Sequence, residues 1–185
     1  MREMAPRVKD EKRAPELAYR RALHISRVSR GKPEALALLT YAARRNHPVA
    51  QNALGSWFLH GIGVQKNLRR ALALFAKAAA AGQPDAAFNL ARAYEVGEGR
   101  KKNARRAFQL YQRAAAHGDV GALVEVARCL FFGIGTRPDR AAADKLYARA
   151  ARLGNPKART TRRPRSKRSS ERRRSSSADP RSLRH

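Results

Sequence analysis

Apolar residues through the middle of the chain recur at intervals of three and four, and the strict alternation of a strand is absent, so the pattern predicts short helices. In the clearest stretch a helix A is expected from roughly Val49 to His60 and a helix B from roughly Leu68 to Ala81. One side of helix A carries Ala50, Leu54 and Phe58, followed in later copies by Ala86, Leu90 and Tyr94 and then by Ala122, Val126 and Leu130. Helix B carries a second apolar stripe in the columns Ala71/Ala107/Ala143, Leu74/Leu110/Leu146 and Phe75/Tyr111/Tyr147. Every column steps by the same 36 residues. A period of that length marks a solenoid, in which each unit buries its apolar face only against its neighbours.

The breakers keep the same register. Glycine pairs stand at Gly61/Gly63, Gly97/Gly99 and Gly133/Gly135, where a left-handed residue without a Cβ would stop helix A. Asn67, Asn103 and Asp139 then stand where an N-cap side chain accepts a free backbone N–H of helix B. Pro48 and Pro84 fall near the starts of A helices, where a missing N–H costs little.

These residues resemble the Sel1-like repeat family, a relative of the tetratricopeptide repeats. The resemblance is carried by AQNALGSWFLHGIGVQKNLRRALALFAKAAAAGQP, from Ala50 to Pro84, and by its two successors AAFNLARAYEVGEGRKKNARRAFQLYQRAAAHGD and ALVEVARCLFFGIGTRPDRAAADKLYARAARLGNP, about 109 of the 185 residues. It implies an all-α fold, a right-handed α-solenoid of antiparallel helix pairs, that acts as an adaptor or scaffold. Two departures stand out: Ala91 and Ala127 replace Gly55, and Arg100 stands where the first copy has Val64. Both are expected to loosen individual turns without changing the fold.

The organisation that follows is a flexible N-terminus over residues 1–13, a degenerate capping repeat over 14–47, three repeats over about 48–84, 85–120 and 121–156, and a disordered Arg/Ser-rich tail over 157–185. The capping repeat is read from Ala35, Leu38 and Ala42-Ala43, one period before Ala71, Leu74 and Ala78-Ala79, with a helix from about Pro15 to Ser29 before it and a short Gly31-Lys32-Pro33 turn. At the other end the last helix B exposes Leu146, Tyr147 and Ala150. A dimer mate, a partner or a short helix from the tail could cover them. The tail has few apolar residues and dense positive charge, so burial there cannot offset chain entropy.

Charge sharpens the functional reading. The chain has 41 Lys/Arg against 14 Asp/Glu, a net +27; residues 157–185 account for +10, leaving +17 on the first 156 residues. A basic solenoid joined to a basic tail points to anionic contacts. Lys77, Arg113 and Arg149 are one period apart and form a ridge, either a track for a polyanion or merely a solvated face. In the tail, Arg162, Arg163, Arg165, Lys167 and Arg168 make a second anion-binding candidate, whose bland alternative is a solubilising extension. The neighbouring serines would weaken anion affinity if phosphorylated.

The resemblance places the binding groove on the A helices, opposite the seam, lined by Asn52, Ser56, Phe88, Arg92, Glu95, Val124, Arg128 and Phe131. Arg92 and Arg128 are equivalent positions beside apolar neighbours, a pattern that suits an acidic, partly apolar peptide. The competing reading is that Phe88 and Val124 only complete packing between helices.

Catalytic and metal chemistry find little support. The five histidines form no ligand set, the lone Cys129 has no second cysteine at metal spacing, and no phosphate-loop or dinucleotide fingerprint occurs. Carboxylates are sparse, and no close pair recurs on one helical face. No cofactor is expected. Secreted relatives in the resembling family often carry paired cysteines, so one cysteine points to a reducing, cytoplasmic setting. No run reaches the length of a membrane span. The expected function is a non-enzymatic adaptor that binds a protein partner, with an acidic one favoured by charge. The alternative is a nucleic-acid-associated protein using the ridge and tail.

Overall fold

The computed structural model describes residues 14–26 and 32–161, and among these every regular element is an α-helix. In order they are α1 (Ala14–Ser26), α2 (Lys32–Arg44), α3 (Pro48–His60), α4 (Leu68–Ala80), α5 (Pro84–Val96), α6 (Ala104–Ala116), α7 (Val120–Phe132), α8 (Arg140–Arg152) and α9 (Pro156–Thr161). Each helix packs against the ones before and after it in sequence. The odd-numbered A helices also meet across successive repeats, through Asn89 donating to Asn52 and Arg128 donating to Glu95. The B helices meet likewise, through Arg113 donating to the Ala80 carbonyl. The result is an α-solenoid with an A layer and a B layer.

Local chemistry sets the helix ends. Asn67, Asn103 and Asp139 cap α4, α6 and α8, each side chain accepting the N–H three residues on. Gly61, Gly97 and Gly133 end the A helices with φ of 71°, 83° and 73°. The second glycine of each pair serves contact between repeats. A Cβ on Gly135 would lie 2.1 Å from the Ala104 carbonyl oxygen, so the loop of the third repeat can lie against the start of α6 only without a side chain. A second column, His47, Gln83 and Asp119, caps α3, α5 and α7 by accepting the N–H of Ala50, Ala86 and Ala122.

Small residues let the layers close. Ala50, Ala71, Ala86, Ala107, Ala122 and Ala143 are buried, and Phe75, Tyr111 and Tyr147 fill the space they leave. Full burial of side chains this size favours folding by roughly 1.5–3 kcal/mol each. Gly55 belongs to this packing and not to a turn, because a Cβ there would stand 2.7 Å from the Phe75 ring. Ala91 and Ala127, at the equivalent positions, are fully buried within α5 and α7, so the expectation of loosened turns is corrected. Arg100, in place of Val64, is half-buried with its guanidinium 4.3 Å from the centre of the Tyr94 ring, so its stem and cation replace the valine's apolar contact.

Helices flank the three repeats on both sides. α1 and α2 pack as the expected terminal pair, with Ala18, Ala22, Ala35 and Leu39 buried, and the buried Gln51 donates to the Ala43 carbonyl to tie α3 onto them. Lys32 and Pro33 lie in the first turn of α2, so they are helix and not turn, while Gly31 and the last residues of the expected first helix lie outside the described residues. At the far end α9 packs on α8 and places Ala158 in a cluster with Tyr147 and Ala150. Of the three covers considered, the short helix is the one found. Helix therefore continues through residues 157–161, where the sequence reading began the tail. The expected flexible N-terminus and the tail residues Arg162, Arg163, Arg165, Lys167 and Arg168 lie outside the described residues.

Candidate interaction faces

The expected groove residues divide into those held by the protein and one left free. Arg128, on α7, is held: its Nε donates to Glu125 at 2.7 Å, and its Nη2 donates to Glu95 on α5. Glu95 also accepts the Tyr111 hydroxyl at 2.9 Å. Burial works against the Arg128 cation, but the hydrogen bonds to Glu125 and Glu95 outweigh it and raise its pKa above the ordinary guanidinium value. Burial, and then Glu95, push the Tyr111 hydroxyl well above the usual phenol range, so it stays a donor. One cation faces two carboxylates. Nε and Nη2 of Arg128 are thus committed to carboxylates within the fold.

Phe88 and Val124 follow the packing alternative. Phe88 stands edge-on to Tyr111 with ring centres 5.4 Å apart, and Val124 is buried in the cluster with Tyr147. Asn52 accepts from Asn89, and Ser56 is half-buried. Phe131 is half-buried, edge-on to Phe132, with Arg140 over its ring at 5.2 Å.

Arg92 differs from its counterpart Arg128 by substitution at two positions. One period before Glu95 and Glu125 stand Leu59 and Asn89, so neither carboxylate that neutralises Arg128 is present around Arg92. Among the described residues Arg92 makes no ion pair, and it is exposed. It borders a cleft of about 150 Å³ between the first two repeats. Leu59, Leu72, Phe75 and Val96 give the cleft apolar walls, and His60, Lys66 and Glu98 stand with Arg92 at its polar edge. Val96, at the margin of the cleft, is 66% exposed. The sequence contained the signal, since subtracting one period from Glu95 and Glu125 finds Leu59 and Asn89.

On the B layer the ridge residues Lys77, Arg113 and Arg149 are all exposed, each in the last turn of its helix. Arg113 is partly anchored by its 3.1 Å bond to the Ala80 carbonyl. Cys129 is buried, and burial pushes its thiol up to about 11. Among the described residues no group of His, Cys, Asp and Glu has metal-binding geometry, and no helix is long and apolar enough to cross a membrane.

Comparison with known proteins agrees with the repeat register. Residues 48–83, 84–119 and 120–155 each match the Sel1 repeat. A Sel1 repeat protein from Oxalobacter formigenes superposes with a TM-score of 0.74 at 33% identity, over 84% of this chain and 63% of that one. The protein c5321, a protective antigen of uropathogenic Escherichia coli strains displaying an SLR fold, superposes with a TM-score of 0.72 at 25% identity, over 78% of this chain and 32% of its own. Helicobacter pylori cysteine rich protein B shares the fold, with a TM-score of 0.55 at 22% identity over 71% of this chain and 94% of that one. This chain thus spans less than two thirds of the first two proteins it resembles. No curated protein matches it.

Proposed function

The chain belongs to the Sel1 repeat family, whose members are generally protein-interaction scaffolds, and we propose that it is a non-enzymatic scaffold that takes an acidic, partly apolar peptide segment in the cleft beside Arg92. The observation that carries this reading is the contrast between two equivalent arginines. Arg128 is neutralised by Glu95 and Glu125, whereas Arg92 has Leu59 and Asn89 in their places and keeps its donors for a ligand. Carboxylates of the segment would pair with Arg92 and Lys66, and an aliphatic or aromatic side chain would cover Val96 and Leu59. The apolar contact supplies buried area, and the guanidinium supplies orientation.

A phage-displayed library of random peptides, selected on the full chain, tests this reading. Enriched sequences are expected to place Asp or Glu beside Leu or Phe, and their affinity should fall at least about ten-fold for Arg92→Glu, equivalent to about 1.4 kcal/mol. Enrichment of basic or charge-free sequences, or affinity unchanged in Arg92→Glu, would overturn it.

A further inference from the structure

Positive charge in the repeats is segregated by layer. The B helices α4, α6 and α8 carry ten Lys/Arg against Asp144 alone. The A helices α3, α5 and α7 carry two arginines against three carboxylates. All ten B-layer cations are exposed, and among the described residues none takes part in an ion pair. The fold has therefore neutralised the charge of one layer and left the other uncompensated.

The cations also share a direction. Residues seven apart on a helix lie two turns apart on one side, so Arg70 with Lys77 and Arg106 with Arg113 form matching pairs, and Arg149 continues the line on α8. Between the paired cations stand exposed residues that are small or uncharged, such as Ala73 and Gln109. Several guanidinium groups are held in place. Arg70 lies over the Phe58 ring at 5.6 Å, Arg106 over Tyr94 at 5.5 Å while donating to its hydroxyl, and Arg113 donates to Ala80. Such anchoring lowers the entropy lost on gripping an anion and leaves the remaining N–H donors facing solvent.

We infer that the outward face of α4, α6 and α8 is a binding track for the phosphate backbone of nucleic acid, separate from the peptide cleft beside Arg92. A line of fixed cations repeated at each structural unit matches a regularly charged polymer better than it matches a compact acidic ligand. The outward positions present no aromatic platform on which bases could stack, so recognition is by phosphate, independent of sequence, and a duplex is accepted.

The test uses the full chain and fluorescein-labelled DNA duplexes of two unrelated sequences, with anisotropy read across a salt series. Wild type should bind both alike. The triple substitution Lys77→Glu/Arg113→Glu/Arg149→Glu should weaken binding at least about ten-fold and flatten the slope of log affinity against log salt by about 3, from the loss of three phosphate contacts. The neutral set Lys77→Gln/Arg113→Gln/Arg149→Gln guards against misfolding and should show a smaller loss in the same direction. Arg92→Glu should leave duplex binding within about two-fold, which separates this inference from the peptide reading. Unchanged affinity and slope in the triple variant, at wild-type helicity, would overturn the track. So would a strong loss in Arg92→Glu, or competition by polyglutamate as effective as unlabelled duplex at equal charge.

Discussion

Replacing Gly135 and Gly118 separately with alanine isolates the contact that sets the spacing between repeats. Both glycines are left-handed, with φ of 70° and 94°, so either alanine incurs a backbone cost of about 1–2 kcal/mol. At Gly118 nothing lies within 4 Å of the new Cβ, so that cost stands nearly alone. At Gly135 the Cβ would sit 2.1 Å from the Ala104 oxygen and 2.8 Å from the Arg105 nitrogen, both backbone atoms at the start of α6. The loop must retreat by roughly 1 Å or more to restore ordinary contact, which adds about 1–3 kcal/mol of the kind seen on overpacking. At about 2–4 °C per kcal/mol for a chain of this size, Gly118→Ala should lower the melting temperature by about 2–8 °C and Gly135→Ala by about 4–20 °C, the larger loss falling on Gly135→Ala. Because a solenoid's stability is a sum over units and their interfaces, the extra loss should appear in amide exchange of α7 and α8 before α3 and α4. Far-UV circular dichroism and exchange mass spectrometry read both quantities. Equal losses in the two variants, or a larger loss in Gly118→Ala, would refute the claim that close approach requires the second glycine.

Other features give independent checks. Asn103→Ala removes the acceptor for the Arg106 N–H and should cost about 1 kcal/mol, read from the thermal midpoint, with Asn103→Asp restoring most of it. Arg128→Met leaves Glu95 and Glu125 near one another without their shared cation and should destabilise the chain by about 1–3 kcal/mol. Denaturant melts of the variant and the wild type measure that loss. Cys129, buried and held at about 11, should react with a thiol reagent at neutral pH only as fast as the repeat opens, so denaturant should accelerate labelling by orders of magnitude.

The fold was legible because its determinants are local and repeated. Asn67, Asn103 and Asp139 cap helices from three residues away, and Gly61, Gly97 and Gly133 need only their own backbone to end one. Less familiar residues in the same roles were harder to read. Asn46 adopts φ 59° one period before Gly82, and His47 and Gln83 cap helices with side chains seldom used for it. The candidate site was legible only in part. Arg92 and Arg128 look alike in sequence, and what separates them is a neighbour 33 residues back, Leu59 for one and Glu95 for the other. Whether that neighbour touches the arginine depends on how far one A helix slides along the next, which the packing between repeats decides. The tail begins later than residue 157 because Ala158, one period after Ala122, is buried in a cluster with Tyr147 and Ala150.

The most direct test of the division between a peptide cleft and a phosphate face is amide chemical-shift mapping of the full chain during titration with an acidic peptide enriched in the library selection. The amides of Leu68, Leu72, Arg92 and Val96 should move together and saturate, while those of Lys77, Arg113 and Arg149 stay in place. Shifts confined to Lys77, Arg113 and Arg149, with the Arg92 cleft silent, would contradict it.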